Sequence, residues 1–318
     1  MQSALPSWHK ISTNVRFLAG VTTRRVALRT SSALAPGLAG LWAERLFLTP
    51  PRPRLPQSTF FDFLDAHAGF VEHRGRSLAT WRWGPQDAPA VLLAHGWGGH
   101  AAQMRGFVQP LLSAGYRVIA YDQPAHGLSE GRLTGLPDFA GAIGAVATWH
   151  GNVRHVIAHS LGGVAAALAI AQAQSNSAKG LSIERAVLIS PPSDLVGYSR
   201  RFARWLWIPE RVRRAMQAAI EERFGVRWSD FELPRIAPRL RAPALVIHDR
   251  GDAMVPWKQG AALAQAWPGA RLLSTDGLGH GRILEHPQVT RAALDFITGR
   301  SGVASLALPA LPHPAPLL

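Results

Sequence analysis

The sequence predicts an α/β fold with a doubly wound, mostly parallel central sheet flanked by helices. Two observations lead to this class. Short runs rich in Val, Ile and Leu alternate with helix-length segments from Ala90 onward, and the runs are continuously apolar, as strands covered on both faces are. The predicted strands are Ala90–His95, Arg117–Asp122, His155–His159, Arg185–Ser190, Ala244–Asp249 and Arg271–Thr275.

A hairpin is predicted ahead of this alternation. The segments Gly69–Gly75 and Ser77–Gly84 alternate apolar and polar residues around the turn Arg74-Gly75, as two antiparallel strands do. The expected helices cover residues 101–114, 137–151, 161–173, 256–267 and 287–298. We therefore assign residues 59–192 and 241–298 to the core domain.

Two segments flank this core. Residues 1–58 are interpreted as a partly helical N-terminal extension that ends in a proline-rich connector, Thr49–Pro56. The apolar run Ala33–Ala43 is shorter than the roughly 20 residues that a membrane span needs, so a core or interfacial helix is expected. Residues 299–318 carry four prolines and are predicted to be a disordered tail.

One interval inside the core has no strand pattern. Residues 193–240, after the sixth strand, are rich in Arg and Trp, and we interpret them as a helical cap, or lid. An insertion there follows the carboxyl end of a strand, where ligands bind in open α/β sheets. Trp205 and Trp207 are candidates for an acyl pocket, and the arginines for a carboxylate or an anionic lipid head. The alternative is an amphipathic cap helix with a solvated basic face.

The charge is strongly basic. With 34 basic and 20 acidic residues the chain carries +14, and 31 of the basic residues are arginine. Arginine-rich codons of a GC-rich genome are one explanation of such a surplus. No nucleic-acid module is recognisable, so no nucleic-acid partner is expected. Peripheral contact with an anionic membrane stays open. The chain has no cysteine, which excludes disulfides and thiol nucleophiles and suits a cytoplasmic protein.

The first chemical motif surrounds Ser160. A strand ends at His159, and a helix of small residues begins directly after the serine. Such a sharp strand-to-helix turn strains the serine backbone and exposes its hydroxyl above the sheet. Small neighbours two positions away let the strand and the helix approach, and here they are Ala158 and Gly162. The alternative is an ordinary helix-capping serine.

A glycine-rich turn, His95-Gly-Trp-Gly-Gly99, follows the strand that begins at Ala90. Acyl transfer passes through an oxyanion that needs preorganised donors. The backbone amides of Trp97 and Leu161 are the candidates for this oxyanion hole. A plain turn before a helix would have the same glycines.

Two later loops supply an acid and a base. Asp252 follows the strand that ends at Asp249, in a loop where a carboxylate can orient a histidine; Asp249 is the rival but is better placed to hold the turn. His280 lies between two glycines after the last strand, on a loop expected to be mobile, and is the candidate general base. We expect Ser160, Asp252 and His280 to form a catalytic triad.

The order Ser, Asp, His, each after a strand, is that of the α/β-hydrolase family. Five motifs between about residues 70 and 298 resemble this family and, in particular, its lid-bearing bacterial esterases and lipases. These motifs are the glycine turn His95–Gly99, the segment Asp122-Gln-Pro-Ala-His-Gly-Leu-Ser129 with Ala125 in place of the usual glycine, the turn Ala158–Gly162, the acid loop Gly251–Pro256 and the base loop Gly279-His280.

The resemblance implies a serine hydrolase that cleaves a carboxylic ester of a small or lipid-like acyl substrate, without a metal or organic cofactor. Acyl transfer, thioester hydrolysis, peptide cleavage and perhydrolysis use the same residues and stay open, as does the oligomeric state. A further alternative is a non-catalytic, membrane-peripheral binding protein, since the surface is basic and residues 33–48 are apolar.

Overall fold

The structure, a computed structural model, describes residues 22–52, 63, 65–176 and 181–300. Its strands are β1 His67–His73, β2 Arg76–Trp83, β3 Ala90–Ala94, β4 Arg117–Tyr121, β5 Val153–His159, β6 Arg185–Ile189, β7 Ala244–Asp249 and β8 Arg271–Thr275. Its helices are α1 22–34, α2 Pro36–Phe47, α3 Val108–Ser113, α4 Leu136–His150, α5 Leu161–Asn176, α6 Leu195–Trp205, α7 Glu210–Phe224, α8 Leu233–Ile236, α9 Trp257–Ala266, α10 Gly279–Arg282 and α11 Pro287–Thr298.

The predicted fold class is confirmed. The eight strands form one sheet in the order β1-β2-β4-β3-β5-β6-β7-β8. The hairpin β1–β2 and the pair β2–β4 are antiparallel, and every pair from β4 to β8 is parallel. From β3 the chain winds first to β4 and then to β5 on the other side, so the winding direction reverses there. Ligands bind above the carboxyl ends of strands at such a reversal.

Continuous burial explains why the central strands read as unbroken apolar runs. Every residue of β3, β4 and β7 is buried. One buried apolar cluster includes Val91, Leu93 and Ile157 of the central strands, and all three are fully buried. Each such side chain contributes about 1.5–3 kcal/mol of burial free energy. The rigid sheet that results holds the loops at its carboxyl edge in fixed positions.

The predicted hairpin has the turn that its sequence favours. Arg74 and Gly75 both have positive φ, 52° and 70°, and β1 pairs with β2 from His73–Arg76 outward. Two central residues with positive φ define a type I′ turn, whose twist matches that of the flanking strands. Glycine adopts this conformation at little steric cost.

The described residues divide into two compact units. The helical unit comprises 22–48 and Leu195–Trp228; the sheet unit comprises the rest of the described chain. Helices from the predicted N-terminal extension and from the predicted insertion thus belong to one unit. Residues 53–62, which include much of the proline-rich connector, and residues 301–318 of the predicted tail lie outside the described residues.

Within the helical unit, α2 packs closely on α7. A Cβ added to Gly40 would lie 2.8 Å from the Cβ of Ala215, so the two helices approach as near as a glycine permits. Buried Glu44 forms an ion pair with Arg223 of α7. The Phe47 ring contacts those of Tyr198, Phe202 and Trp228. No helix in the described ranges is long and apolar enough to cross a membrane.

Candidate active site

Ser160 occupies a strained turn between β5 and α5. Its φ is +52°, a left-handed value that costs a non-glycine residue about 1–2 kcal/mol. Its amide donates to the carbonyl of Ile189 at 2.8 Å, which ties the turn to the end of β6. A strained residue held in place at a strand end is typical of a functional position. The predicted strand-to-helix turn is therefore present, with the hydroxyl at the carboxyl edge of the sheet.

Two glycines let neighbouring backbone segments approach this turn. A Cβ on Gly96 would lie 2.8 Å from the Cβ of Ser160, so the glycine turn after β3 lies directly against the serine. A Cβ on Gly162 would lie 2.5 Å from the His95 carbonyl oxygen and 2.8 Å from that of Ala94. Both of the atoms opposite Gly162 are backbone, which cannot move aside as a flexible side chain can.

Replacing Gly162 with alanine is expected to destabilise the fold by about 1–3 kcal/mol, because the new methyl overlaps backbone at the end of β3. Urea unfolding measures the change. Gly144→Ala on α4 is the matched control: nothing lies within 4 Å of its added Cβ, and alanine there is expected to stabilise by roughly 0.5–1 kcal/mol. Equal effects of the two substitutions would contradict the close approach.

The structure brings His280 to Ser160. Its Nε2 lies 3.0 Å from the Ser160 Oγ, across 120 residues of sequence. His280 belongs to the short helix α10 rather than to the mobile loop expected from the sequence. Gly277 and Gly279, with φ of +76° and +66°, turn the chain between β8 and this helix. The helical turn directs the ring toward the serine.

Asp252 lies on the other side of the same ring. Its Oδ2 accepts from the Nδ1 of His280 at 2.7 Å, and its Oδ1 accepts from the amides of Met254 and Val255, both at 2.8 Å. Burial by itself raises the pKa of this carboxyl. Hydrogen bonds from His248, His280 and the Val255 amide outweigh burial and hold the pKa of Asp252 below its ordinary value. The carboxylate is therefore ionised at neutral pH.

Asp249, the rival acid, serves the loop architecture instead. Its Oδ1 accepts from the amide of Gly251 at 2.9 Å. Its Oδ2 accepts from the Thr275 hydroxyl at 2.8 Å and from the Leu278 amide at 2.9 Å. Asp249 thus fastens the end of β7 to the segment that carries His280, as the sequence interpretation expected of a turn-holding residue.

The hydrogen bonds determine which nitrogen of the neutral His280 ring carries the proton. A carboxylate only accepts, so the Nδ1–H of His280 donates to Asp252. The Nε2 is then the unprotonated nitrogen and accepts from the Ser160 hydroxyl. This arrangement can remove a proton from the serine and stabilise the resulting imidazolium.

Two backbone amides are available near the serine. Trp97 follows Gly96 in the turn that lies against Ser160, and within the described ranges its amide donates to no protein acceptor. Leu161 is the first residue of α5, where helix geometry provides no intrahelical acceptor for the amide. The helix dipole also favours negative charge at this end of α5. The predicted donors for an oxyanion are thus on the two segments that meet at Ser160.

A histidine holds the glycine turn that carries Trp97. The Nε2 of His126 accepts from the Gly98 amide at 2.9 Å, and its Nδ1 donates to the Pro124 carbonyl at 3.0 Å. Burial lowers the pKa of His126 to about 4. A protonated Nε2 would face the Gly98 N–H with two donors and no acceptor, so this contact requires the neutral ring.

The folded state is expected to lose stability in acid partly through His126. Between its ordinary pKa of 6.5 and about 4, the unfolded chain binds a proton that the folded chain does not. Stability from this group is therefore complete above pH 6.5 and falls by up to about 3 kcal/mol as the pH drops toward 4. Urea unfolding across this range should show a smaller pH slope in His126→Gln. Exposed His67→Gln is the control, and equal slopes for both variants would contradict the assignment.

Sequence reasoning left out two histidines that support the site. The Nε2 of His159 donates to the backbone carbonyl of His280 at 2.9 Å, and the two rings lie 4.7 Å apart. Burial lowers the pKa of His159 to about 3, so the ring is neutral. Buried His248 places its Nε2 2.9 Å from the Val255 carbonyl and 3.4 Å from the Asp252 carboxylate. The only sequence signal for either residue is a histidine at a strand end.

The tryptophans proposed for a substrate pocket belong to the helical unit. Trp205 and Trp207 are each 49% exposed. The carbonyl of Trp205 accepts from Arg25 at 2.7 Å, and the guanidinium of the same arginine lies 4.8 Å from the centre of the Trp207 ring. Within the described ranges, no group of three or more His, Cys, Asp or Glu side chains is arranged to hold a metal ion.

The chain is similar in sequence to a chloroperoxidase and to an esterase/perhydrolase. It is 27% identical over 257 residues to a non-heme chloroperoxidase of Streptomyces lividans, covering 65% of this chain and 90% of that protein. It is 23% identical over 266 residues to a bifunctional esterase/perhydrolase of Acinetobacter calcoaceticus, covering 68% of this chain and 94% of the relative.

Solved structures share the fold. The carboxylesterase CesB from Bacillus subtilis superposes with a TM-score of 0.56 at 21% identity, over 83% of this chain and 99% of that one. The model of the alpha/beta hydrolase family matches residues 91–293, a span that contains the serine turn, the glycine turn and both later loops. With this match over more than half of its length, the chain belongs to the alpha/beta hydrolase family.

Proposed function

We propose that the protein is a serine hydrolase that cleaves carboxylic esters through an acyl-enzyme formed on Ser160. The observation that carries the proposal is the continuous hydrogen-bonded line from Asp252 through His280 to Ser160, with distances of 2.7 and 3.0 Å. A nucleophile, a base and an orienting acid within hydrogen-bond reach are the arrangement that activates a hydroxyl. The strained backbone of Ser160 adds support, because strain is retained where function requires it.

In the acylation step, the Ser160 Oγ attacks the ester carbonyl carbon while the His280 Nε2 takes the hydroxyl proton. The amides of Trp97 and Leu161 donate to the oxyanion, and each such donor lowers the barrier by about 2.7–4 kcal/mol. As the tetrahedral intermediate collapses, the bond to the alkoxy oxygen breaks and His280 gives its proton to the departing alcohol. The Asp252 carboxylate stabilises the imidazolium between these transfers.

In the deacylation step, water replaces the alcohol. His280 removes a proton from the water, the hydroxide attacks the acyl carbonyl, and the bond to Ser160 breaks with return of the proton to the serine. The residues that act in the two steps are the same. Carboxylic esters are the expected substrates because an alkoxide leaves the tetrahedral intermediate more easily than an amide nitrogen does.

Perhydrolysis is a second candidate, favoured by the names of two relatives. One is a non-heme chloroperoxidase and the other a bifunctional esterase/perhydrolase. In this reaction hydrogen peroxide takes the place of water in deacylation, so the acyl-enzyme releases a peroxy acid instead of a carboxylic acid. The acylation of Ser160 is unchanged. The ratio of peroxy acid to carboxylic acid formed at a known peroxide concentration measures how peroxide and water compete in deacylation.

A fluorophosphonate probe tests the proposal. The parent protein is expected to gain the mass of one covalent adduct, because only an activated serine displaces fluoride from phosphorus at an appreciable rate. Ser160→Ala should gain none, and His280→Ala should react far more slowly. Intact-mass analysis provides the measurement, followed by esters of increasing acyl length.

Lack of labelling in a folded parent would reject the activated serine and favour a non-catalytic binding protein. Labelling that persists in Ser160→Ala would assign the nucleophile to another residue. A peptide map of the labelled parent then identifies that residue.

A further inference from the structure

The helical unit exposes an apolar face to solvent. On α2, Leu38 and Leu41 are 69% and 55% exposed, and Leu34 at the junction with α1 is 81% exposed. Val26 on α1 is 55% exposed. The three leucines recur at intervals of four and three residues, and exposed clusters of large apolar side chains mark interaction surfaces. We call these four residues the leucine face.

The orientation of α2 shows that this exposure is built into the packing. The helix buries its small residues Ala39, Gly40 and Ala43 and exposes Leu38 and Leu41. An amphipathic helix ordinarily buries its large apolar side chains. Here the close approach of Gly40 to α7 fixes the small face inward, so rotating the leucines into the interface would break the packing.

The same unit concentrates positive charge. Residues 22–48 and 195–228 contain 12 arginines and four glutamates and no lysine or aspartate, a net charge of +8. The whole chain carries +14, so 61 of its residues hold more than half of the net charge. Basic side chains beside an apolar helical face are the composition of surfaces that bind anionic membranes.

A cationic cavity adjoins the leucine face. It has a volume of about 660 Å³ and is lined by Arg29, Arg204 and Arg211, with Trp207 and Ala33 among its apolar residues. None of the described residues that line it is an aspartate or a glutamate. Arginine guanidinium groups match the geometry of phosphate oxygens and remain charged at every physiological pH.

The cavity and the leucine face are joined along α1. Ala33 lines the cavity, and Leu34, the next residue, is the most exposed of the leucines. Val26 precedes Arg29 of the cavity by one helical turn. Aliphatic side chains and a cavity-lining arginine thus occupy neighbouring positions on one element, an arrangement that matches the acyl and headgroup regions of a lipid.

We propose that the helical unit docks on an anionic phospholipid bilayer, with the leucine face at the acyl boundary and a lipid phosphate at the arginine-lined cavity. Charge decides between this partner and a second copy of the chain. Two helical units of +8 would repel each other, whereas a bilayer rich in anionic lipid attracts them. Docking is independent of the proposed ester hydrolysis, since it requires none of the residues around Ser160.

Vesicle flotation with the full-length protein tests the proposal. The protein is expected to float with vesicles of phosphatidylcholine and phosphatidylglycerol and to remain largely unbound with phosphatidylcholine alone. Changing both leucines in Leu38→Gln/Leu41→Gln should weaken partitioning about tenfold or more, because less apolar surface enters the interface. Charge reversal in Arg29→Glu/Arg204→Glu should weaken it at least about tenfold.

Matched control variants change equivalent residues of the sheet unit. Phe70→Gln/Trp149→Gln replaces two exposed apolar side chains, 62% and 69% exposed, and should leave flotation unchanged. Arg132→Glu/Arg271→Glu alters the net charge by the same amount as the test pair but at exposed arginines of the other unit. Its effect should be less than about threefold, since neither arginine belongs to the cavity lining or to the leucine face.

Three results would overturn the proposal. The first is absence of flotation with anionic vesicles, and the second is an equal loss in the test and control charge variants, which would indicate attraction by net charge alone. The third is a lipid-free dimer that dissociates in Leu38→Gln/Leu41→Gln, measured by sedimentation velocity, because a second copy would then cover the leucine face. Circular dichroism of each variant shows that loss of flotation is not loss of folding.

Discussion

Replacing Ser160 with alanine is expected to lower kcat/KM for a carboxylic ester by about 10⁵-fold or more. The variant lacks the oxygen that attacks the acyl carbon, while His280 and the amides of Trp97 and Leu161 remain. Residual activity therefore reports direct attack by water. Initial rates on a chromogenic ester, with enzyme purified free of host esterases, provide the measurement.

Two further variants control this result. Ser175→Ala removes an exposed hydroxyl on the same helix, one that donates only to the Ala171 carbonyl, and should retain full activity. Ser160→Gly should be as inactive as Ser160→Ala but more stable than it by about 1 kcal/mol, because glycine adopts the φ of +52° without strain. Ester hydrolysis that survives in both Ser160 variants would reject this serine as the nucleophile.

Replacing Asp252 with asparagine is expected to lower kcat by about 10⁴-fold while leaving KM little changed. The Nδ1–H of His280 then meets an amide that also carries hydrogen atoms. Since the amide oxygen takes the two bonds from the Met254 and Val255 amides, its NH2 group faces the ring, and Nδ1 can only accept there. The ring proton then moves to Nε2, the nitrogen that must accept from Ser160. The loss should therefore appear in the chemical step, which single-turnover kinetics measures.

The exposed Asp276 supplies the matched control. It pairs with Arg250 at 3.0 Å on the surface, and its change to asparagine should alter kcat less than about twofold. If Asp252→Asn kept near-parental kcat, or if Asp249→Asn reproduced its loss without unfolding, the orienting role would belong elsewhere. Urea unfolding separates these outcomes, since Asp249 holds three hydrogen bonds of the loop architecture.

The strands of the sheet and the order of the motifs along the chain are predictable from local sequence patterns. β7 and β8 occur at the predicted residues, and the other predicted strands differ from the observed ones by one or two residues at one or both ends. Strands buried on both faces are continuously apolar, and they alternate with segments of helical length, so these elements leave local patterns. The turn at Ser160 is also predictable from the sequence, because small residues at fixed spacing are needed where a strand meets a helix.

The segment Asp122–Ser129 differs at one position from the motif that it resembles. Ala125 stands where the resembling turn usually has glycine, and its φ is +63°. The backbone keeps the left-handed conformation despite the methyl group, which is fully buried. The hydrogen bonds of Asp122 with the amides of Ala101 and Leu128 hold the segment in place.

Contacts between side chains from distant segments follow from the packing of the strands and helices. Asp249 and Asp252 are three residues apart, and the pairing of β7 with β8 places Thr275 beside the first and leaves the second for His280. The strand pairing also places His159 against the backbone of His280, and His248 beside the Asp252 carboxylate. The outward leucines of α2 also required the fold, because Gly40 against α7 determines which helix face is buried. The sequence of a segment determines which conformation that segment prefers locally. Contacts between distant segments depend on strand register and helix rotation, and the packing of the whole chain determines both.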